Sequence, residues 1–267
     1  MLKRSKYLFF KKNVLPLYFT YFVTSRCNLQ CKHCFYWESL NKPSNELDIS
    51  EIKKFSTTIG HPLVLSLTGG EPFLRKDLID IVNAFHKNAA PSIISIVTNG
   101  YFTQTCVKIT KNILSSCPEI SLIIELSLDG MEPEHNLIRA NLNSFQRALK
   151  TYFNLKQLKK NYPNLNLGIV TTFSRLNQYS ILEFMHFVKN ELNPDSFTLS
   201  LVRGDPLDKL CKNIDAEKYK KAIALRCKLF PQNYTNFPFA FIKHANDQLV
   251  ENIVYETIKE NAYQTPC

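Results

Sequence analysis

A regular alternation of β-branched apolar runs with amphipathic helical patterns constrains the fold of this chain more than any other feature. Six runs are typical of buried strands and span residues 17–24, 63–68, 92–98, 121–128, 166–173 and 196–202. Each interval between them contains a predicted helix, over residues 50–57, 77–88, 104–116, 143–160 and 180–192. Strands that alternate with helices of this length pair in parallel through right-handed crossovers. The sequence therefore predicts an α/β fold built as a barrel, a partial barrel or an open doubly wound sheet.

The two ends of the chain depart from this alternation. After residue 202 the sequence predicts helices over residues 216–230 and 240–261, a loop over residues 231–238 between them, and no convincing seventh strand. At the other end, several lysines and arginines precede an apolar stretch over residues 14–23, as in a signal peptide. That stretch contains Pro16, is rich in Tyr and Phe, and lacks a small-residue cleavage site, so a buried first strand is the better interpretation. We expect a basic segment over residues 1–16, a core domain over 17–205 and a helical extension over 206–267.

The composition supports a large folded core and excludes several classes of protein. Hydrophobic residues make up 45% of the 267 residues and charged residues only 21%, which is unlike a disordered chain. No apolar run approaches the roughly 20 residues of a membrane-spanning helix, so we expect no transmembrane segment. The net charge of +10 permits attraction to nucleic acid or to acidic partners. Because no recognition motif is evident, we expect no nucleic-acid partner.

Three of the eight cysteines are crowded into one short loop directly after the first predicted strand. Cys27, Cys31 and Cys34 form this cluster, whereas the thiols at 106, 117, 211 and 227 fall within or at the ends of helical patterns and are interpreted as buried bystanders. Clustered thiols in a chain with a large core indicate metal or redox chemistry in a reducing compartment, so we predict a cytoplasmic protein. Thiolates favour zinc or iron–sulfur centres. A zinc site completed by His33 or by a remote cysteine remains an alternative at this point.

The placement of the glycines indicates where a ligand would bind. Only seven glycines occur, and Gly69, Gly70, Gly100 and Gly130 all lie just beyond predicted strand ends. Glycine permits positive φ and close approach of the backbone to a ligand. In parallel α/β folds, ligands bind at the carboxyl ends of the strands. We therefore expect these glycines and the cysteine cluster at one edge of the sheet.

The cysteine cluster and three glycine motifs together resemble the radical S-adenosylmethionine (radical SAM) superfamily. That family holds a [4Fe-4S] cluster with a C-x3-C-x-aromatic-C loop after the first strand, and residues 27–34 fit this loop with His33 at the aromatic position. The resemblance continues through Thr-Gly-Gly-Glu-Pro at 68–72, Thr-Asn-Gly at 98–100 and Ser-Leu-Asp-Gly at 127–130, in the family's order. It covers about residues 17–205 and implies a partial (β/α)6 TIM-like barrel with a helical carboxyl-terminal extension.

The resemblance implies how a cluster and S-adenosylmethionine (SAM) would be held. The three clustered cysteines would ligate iron and leave one iron open to the amino and carboxylate groups of SAM. The backbone of Gly69 and Gly70 could approach the methionine amine closely. Glu71 could accept hydrogen bonds from that amine or brace the loop, and an exposed carboxylate at a helix start is the alternative. The remaining residues that the resemblance assigns to the cofactor are His33, Asn99, Ser127, Arg139 and Val170.

Individual roles follow from the family pattern at the later strands. Ser127 would bond the ribose and Arg139 the methionine carboxylate, with a surface ion pair to Glu132 or Glu134 as the alternative for the arginine. Asn99 and Asp129 would either contact the ligand or organise a turn. Val170 would pack on the adenine, although Thr172 departs from the glycine that many relatives carry. The aromatic residues at 36 and 37 would shield the cluster or belong to the core.

One branch of the superfamily is the best match. The Ser-Leu-Asp-Gly motif with His135, Arg139 and Phe145 is similar to the SPASM/twitch-containing branch of peptide-modifying and sulfatase-maturing enzymes. The last residue, Cys267, resembles the first ligand of a SPASM segment whose other ligands are absent. Either this sequence is the core of a longer protein, or it belongs to a relative without auxiliary clusters.

The activity implied is reductive cleavage of SAM followed by abstraction of a hydrogen atom from a substrate. Such an enzyme needs an electron donor such as a flavodoxin or ferredoxin. The implied substrate is a peptide, and a tetrapyrrole or another small metabolite remains open. A non-catalytic protein of the same fold that binds zinc or an iron–sulfur cluster is the alternative function.

Overall fold

The computed structural model describes residues 17–43, 45–231 and 240–260. Its single sheet contains six parallel strands, β1 (Tyr18–Thr24), β2 (Val64–Gly69), β3 (Ile93–Thr98), β4 (Ser121–Ser127), β5 (Leu165–Phe173) and β6 (Ser196–Leu201). Every predicted strand is present, with ends that differ by at most one residue from the expected ones. The predicted basic segment over residues 1–16 lies outside the described residues.

The strand order distinguishes a partial barrel from a doubly wound sheet. The strands lie side by side in sequence order from β1 to β6, and every neighbouring pair is parallel. A doubly wound sheet reverses its order at a switch point, and this sheet has none. Right-handed crossovers in one direction place all the connecting helices on the same face. The expected partial (β/α)6 barrel is confirmed.

Helices follow the strands as the periodicity predicts, with one addition. They are α1 (Ile49–Ser56), α2 (Leu78–Ala89), α3 (Thr103–Ser116), α4 (Glu132–Arg139), α5 (Ser144–Lys159), α6 (Ile181–Phe187), α7 (Ala216–Leu229) and α8 (Ala240–Glu260). Asp48 forms a capping box with Glu51 at the start of α1, where its side chain accepts two backbone N–H groups. A π-helical turn over Val188–Leu192 completes the helix predicted for residues 180–192.

The added helix is α4, to which the sequence pattern assigned no structure. It has eight residues, of which only His135, Ile138 and Arg139 are buried, so its apolar periodicity is weak. Pro133 lies in its first turn, a position that proline tolerates well. The helix ends at Arg139 and thereby carries that side chain to the cysteine loop.

Alternate residues of each strand divide the sheet into two faces. One face packs against the helices and forms the apolar core, with Leu67, Ile96, Ile124 and Ile169 among the fully buried side chains. Side chains on the opposite face point into the interior of the partial barrel. The core therefore lies between sheet and helices, and the concave face remains available for a ligand.

The helical extension packs on the carboxyl-terminal half of the sheet. Tyr219 of α7 contacts Phe173 with ring centroids 5.5 Å apart, and Phe230 stacks on Phe197 at 4.6 Å. The loop predicted over residues 231–238 lies almost wholly outside the described residues. In the ranges that the structure covers, no helix combines the length and apolarity that crossing a membrane requires.

Candidate active site at the carboxyl edge of the sheet

A cavity of about 290 Å³ opens at the carboxyl ends of the strands and is lined by most of the predicted site residues. The thiols of Cys27, Cys31 and Cys34 line it, together with His33. The other lining residues that the sequence singled out are Gly69, Gly70, Asn99, Ser127, Arg139, Val170, Thr172 and Tyr36. The structure therefore brings every predicted cluster and cofactor residue except Glu71 to the cavity wall, and Asp129 does not line it either.

Backbone hydrogen bonds to two distant segments fix the cysteine loop. The N–H of Lys32 donates to the carbonyl of Ile138 in α4 at 2.8 Å. From the other side, the N–H groups of Leu207 and Asp208 donate to the carbonyls of Cys34 (3.2 Å) and Lys32 (2.8 Å). The indole N–H of Trp37 donates to the Asp205 carbonyl at 3.1 Å, so this aromatic residue ties the loop to the segment after β6.

Asn41 is a functional residue that the sequence analysis missed. Its Oδ1 accepts the Cys27 N–H at 3.0 Å, and its Nδ2 donates to the Cys27 carbonyl at 2.9 Å. The side chain thus satisfies both backbone groups of the first cysteine. An asparagine 14 residues downstream in an irregular loop gives no sequence signal of this contact.

The two glycines after β2 lie directly against the backbone that leads into the cysteine loop. A Cβ atom on Gly69, whose φ is +121°, would lie 2.4 Å from the Thr24 carbonyl oxygen. On Gly70 it would lie 2.2 Å from the Arg26 carbonyl oxygen. The Gly70 and Glu71 N–H groups donate to these same two carbonyls at 2.8 Å. Only glycine permits this close approach of the two loops.

Glu71 is buried and braces the loops beneath the cavity. One carboxylate oxygen accepts the Phe73 N–H and the Thr98 hydroxyl, and the other accepts the Asn99 N–H at 2.8 Å. Burial raises the pKa of Glu71 to about 7 despite these donors. The alternative of an exposed carboxylate at a helix start is wrong because the side chain is enclosed by the segments that follow β2 and β3.

Asn99 is held in a turn and also reaches the cysteine loop. Its Oδ1 accepts the Tyr101 N–H at 2.9 Å, which is an Asx turn, and its Nδ2 donates to Asn28 Oδ1 at 2.9 Å. Both ends of the amide therefore have protein partners, although the side chain lines the cavity.

A buried ion pair connects the cavity to the Ser-Leu-Asp-Gly motif. Arg139 donates from Nε and Nη2 to Asp129 Oδ2, each at 2.7 Å, and its Nη1 lies 3.6 Å from the sulfur of Cys31. The other Asp129 oxygen accepts the Thr172 N–H at 3.0 Å. Arg139 is 7% exposed, so the alternative of a surface ion pair with Glu132 or Glu134 is wrong.

Electrostatics keep this pair ionised. Burial opposes the charge of Asp129, but the Arg139 guanidinium holds the pKa of that carboxyl below its ordinary value. Burial likewise opposes the charge of Arg139, whereas Asp129 and Cys31 raise the pKa of the guanidinium. A guanidinium has more N–H donors than these contacts use, so Arg139 can still donate to a ligand in the cavity.

Two histidines lie near the ion pair, His135 buried and His33 partly exposed. His135 accepts the Asp129 N–H at Nδ1, its Nε2 is buried without a hydrogen-bond partner among the described residues, and burial lowers its pKa to about 3. His33 lines the cavity, its Nδ1 is buried and unpartnered in the described structure, and burial lowers its pKa to about 4. Both rings are therefore neutral at neutral pH.

The other cysteines are separate from the cavity. Cys106, Cys117 and Cys211 are buried, as expected of bystander thiols. Cys227 is exposed, so the expectation of a buried thiol was wrong there. Cys267 lies outside the described residues.

The chemistry of the cavity suits an iron–sulfur cluster with a cofactor beside it. Three thiols share one wall, a glycine loop with no room for Cβ atoms forms a second, and an arginine with spare donors forms a third. Burial raises the pKa of Cys27 to about 12, so a centre that binds this residue as a thiolate must displace its proton. No three His, Cys, Asp or Glu side chains in the described part of the chain converge closely enough for one metal ion. In a cubane cluster each thiolate binds a different iron, so such convergence is not required.

A second, larger depression of about 1090 Å³ lies beside residues 24–26. Its principal charged groups already have protein partners, because Arg75 pairs with Asp77 at 2.7 Å and approaches Glu46 at 3.5 Å. Glu46 also accepts the Thr24 hydroxyl at 2.7 Å and the Ser25 N–H at 2.9 Å. These contacts support the strand end that precedes Cys27.

Comparison with known proteins identifies similar sequences. The sequence profile of the Radical SAM superfamily matches residues 21–188 of the chain. Fe-coproporphyrin III synthase of Methanosarcina barkeri is 26% identical over 208 residues, which are 76% of this chain and 49% of that protein. GTP 3′,8-cyclase of Nautilia profundicola is 28% identical over 181 residues, which are 63% of this chain and 51% of that protein. The chain thus spans about half the length of these relatives.

Solved structures share the fold. Streptococcus suis SuiB bound to S-adenosylmethionine superposes with a TM-score of 0.61 at 17% identity, over 84% of this chain and 49% of SuiB. The anSMEcpe protein with bound AdoMet superposes with a TM-score of 0.60 at 16% identity, over 82% of this chain and 62% of that chain. Such neighbours share the fold of this chain.

Proposed function

Because this chain belongs to the radical SAM superfamily of enzymes, which use a [4Fe-4S] cluster and SAM, we propose that it cleaves SAM reductively and abstracts a hydrogen atom from a substrate. The observation that carries the proposal is the convergence of Cys27, Cys31 and Cys34 on the same cavity as the Gly69–Gly70 loop and Arg139. When bound, the two cofactors supply one-electron cleavage of a carbon–sulfur bond and a 5′-deoxyadenosyl radical that takes a hydrogen atom. The chain's own residues bind, orient and shield this chemistry.

Each wall of the cavity has a task in this proposal. The three cysteines ligate the cluster as thiolates, and Asn41 holds the first of them through both of its backbone groups. Arg139 donates to the Cys31 sulfur and, with its remaining N–H groups, to the methionine carboxylate of SAM. Asp129 fixes the plane of that guanidinium. Ser127 and Val170 lie on adjacent strands in register, where they would contact ribose and adenine respectively.

Glu71 supports the site indirectly. Its two oxygens are occupied by three protein donors, which favours the loop-bracing role over direct contact with the methionine amine. That amine is left to the backbone of Gly69 and Gly70, which lines the cavity. His33 lines the cavity and its ring stays neutral.

Reconstitution distinguishes this function from the rival one. The full chain, treated anaerobically with iron and sulfide, should become brown, bind about four irons and release 5′-deoxyadenosine when SAM and a reductant are added. Cys31→Ala should lose the colour and the activity, whereas Cys227→Ala, which removes an exposed thiol, should keep both. A colourless wild-type protein that binds zinc, or a Cys31→Ala protein with full iron content, would favour a non-catalytic metal-binding scaffold.

The partners of the reaction complete the proposal. The electron comes from a flavodoxin or ferredoxin, and the substrate is a peptide, a tetrapyrrole or another small metabolite. The relatives differ here, since the named ones include a coproporphyrin synthase and a GTP cyclase, and SuiB has been solved with its precursor peptide SuiA. We also propose that the core domain ends near residue 205, where the helical extension begins.

A further inference from the structure

Glu125 is the one charged residue in the six strands of the sheet. It stands on β4 two residues before Ser127, and residues two apart on a strand point to the same face. Since Ser127 lines the cofactor cavity, Glu125 belongs to the concave face of the barrel, roughly 7 Å deeper along the strand. The apolar core is on the other face, so this carboxylate has no part in core packing.

The strand register places Glu125 directly beside a residue that lines the cavity. It is paired with Val97 of β3, which lines the cavity, and with Gly168 of β5. A Cβ atom on Gly168 would lie 3.4 Å from Glu125 Cγ and 2.7 Å from Ser196 Oγ. The side chains of Glu125 and Ser196 therefore lean over the glycine from both sides.

The carboxylate of Glu125 has no cationic partner among the described residues, although burial raises its pKa. The nearby Ser95 hydroxyl partly offsets this rise in the pKa of Glu125. Ser95 is almost fully buried, and its hydroxyl oxygen makes no hydrogen bond of ordinary geometry with the described residues. On the concave face, the strand residues around Glu125 are otherwise uncharged. A half-buried carboxylate without a counter-ion is unfavourable until a ligand supplies one.

We propose that Glu125 is a substrate-binding residue and that the substrate carries a primary ammonium or guanidinium group on a short alkyl stem. A substrate that enters from the open edge with its cation first would bring the cation to the carboxylate. The reacting carbon would then lie beside the SAM subsite. The stem of a lysine or arginine side chain has about three or four methylenes, which suits the depth of roughly 7 Å and the apolar walls Val97 and Val170. A basic side chain of a peptide is the substrate class that fits best.

This inference rests on the proposed function, because it assumes that the space above Glu125 holds SAM. Its experiment uses n-butylguanidine, whose guanidinium is cationic, and n-butylurea, which has nearly the same shape and no charge. Both are titrated calorimetrically into the reconstituted, SAM-loaded full chain. Wild type should bind the cation about tenfold or more tightly than the urea, since charge-assisted hydrogen bonds to a buried carboxylate are strong.

Variants test whether Glu125 causes the preference for the cation over the urea. Glu125→Gln keeps the shape of the side chain, so the ratio of the two affinities should fall towards one, while Glu125→Asp should keep part of it. Glu119→Gln, on the exposed turn before β4, is the matched control and should leave the ratio unchanged.

The outcomes separate the two proposals. Wild type that shows no preference for the cation, or a Glu125→Gln protein that keeps the preference, overturns the inference about Glu125. A Glu125→Gln protein with normal iron content but weakened SAM binding would also overturn it, because the carboxylate would then serve the cofactor. Failure of wild type to bind iron or to cleave SAM would instead contradict the proposed function.

Discussion

At the scale of single residues, the site depends on side chains that join segments distant in the sequence. Arg139 is the clearest case, because the same guanidinium neutralises buried Asp129 and donates to the Cys31 sulfur. The residues in that last contact are 108 positions apart in the chain. Sequence motifs could single out each residue, but the contact between them depends on the short helix α4, which the periodicity did not predict.

We predict that Arg139→Ala weakens SAM binding by about 1.5–3 kcal/mol, the size expected for a charge-assisted hydrogen bond in a site that excludes solvent. The variant should also unfold about 3–5 kcal/mol more easily, because Asp129 is left buried without its cation. Calorimetric titration with SAM and denaturant unfolding measure the two effects. Arg147→Ala, an exposed arginine on α5 that lies over the Tyr101 ring, is the control. Unchanged SAM affinity with an intact cluster would assign Arg139 a purely structural role.

At the scale of elements, the decisive contacts are between loops that follow neighbouring strands. The loop after β2 lies against the end of β1, and the end of α4 binds the cysteine loop through the Ile138 carbonyl. The sequence predicted that these loops would share one edge, because parallel strands bring their carboxyl ends together. It could not predict Asn41, since no periodic pattern governs an irregular loop whose partner is chosen by tertiary packing.

We predict that Gly70→Ala lowers iron content after reconstitution and destabilises the chain by about 1–3 kcal/mol, as overpacking does. The added Cβ would meet the Arg26 carbonyl oxygen at 2.2 Å, and backbone cannot move aside as a side chain can. Gly130→Ala is the matched control, because its Cβ would meet the Glu134 side chain at 3.0 Å and a backbone atom only at 3.8 Å. Iron per chain and the denaturation midpoint report the result. Equal behaviour of the two variants would contradict the close-approach argument.

At the scale of the whole molecule, the partial barrel and the segment after it act together. The strand and helix alternation was sufficient to predict all six strands and their parallel pairing, because each element carries its own periodic signal. Glu125 and the hydrogen bonds of residues 207 and 208 to the cysteine loop were not predictable in this way. A charged residue in a strand and two backbone N–H groups in a loop can be assigned a role only when tertiary packing places them near the same cavity.

Global stability should depend on pH through three titratable groups at or near this cavity. The pKa values of His135 and His33 are lowered to about 3 and about 4, so both rings are neutral in the folded chain at neutral pH. When the pH is below their ordinary pKa of 6.5, each ring binds a proton on unfolding. Their contribution is present above pH 6.5 and is lost as the pH falls towards 3 or 4. Glu71 acts in the opposite direction, because its pKa is raised from 4.5 to about 7 in the folded chain. Between these two values the folded chain holds a proton that the unfolded chain releases, so this group stabilises the fold as the pH falls. The two histidines outnumber the one carboxyl, so the net effect of these three groups is loss of stability in mild acid.

We predict that His135→Asn removes about 2 kcal/mol of the loss in unfolding free energy that wild type undergoes between about pH 7 and 5. The reason is that the wild-type ring must stay neutral in its buried position beside Asp129 and Phe145, whereas it charges freely once unfolded. Denaturant titrations of both proteins across this range, with exposed His186→Asn as the control, measure the difference. Parallel curves for wild type and His135→Asn would mean that the folded chain accommodates a charged His135, and that the pocket around the Asp129–Arg139 pair admits water.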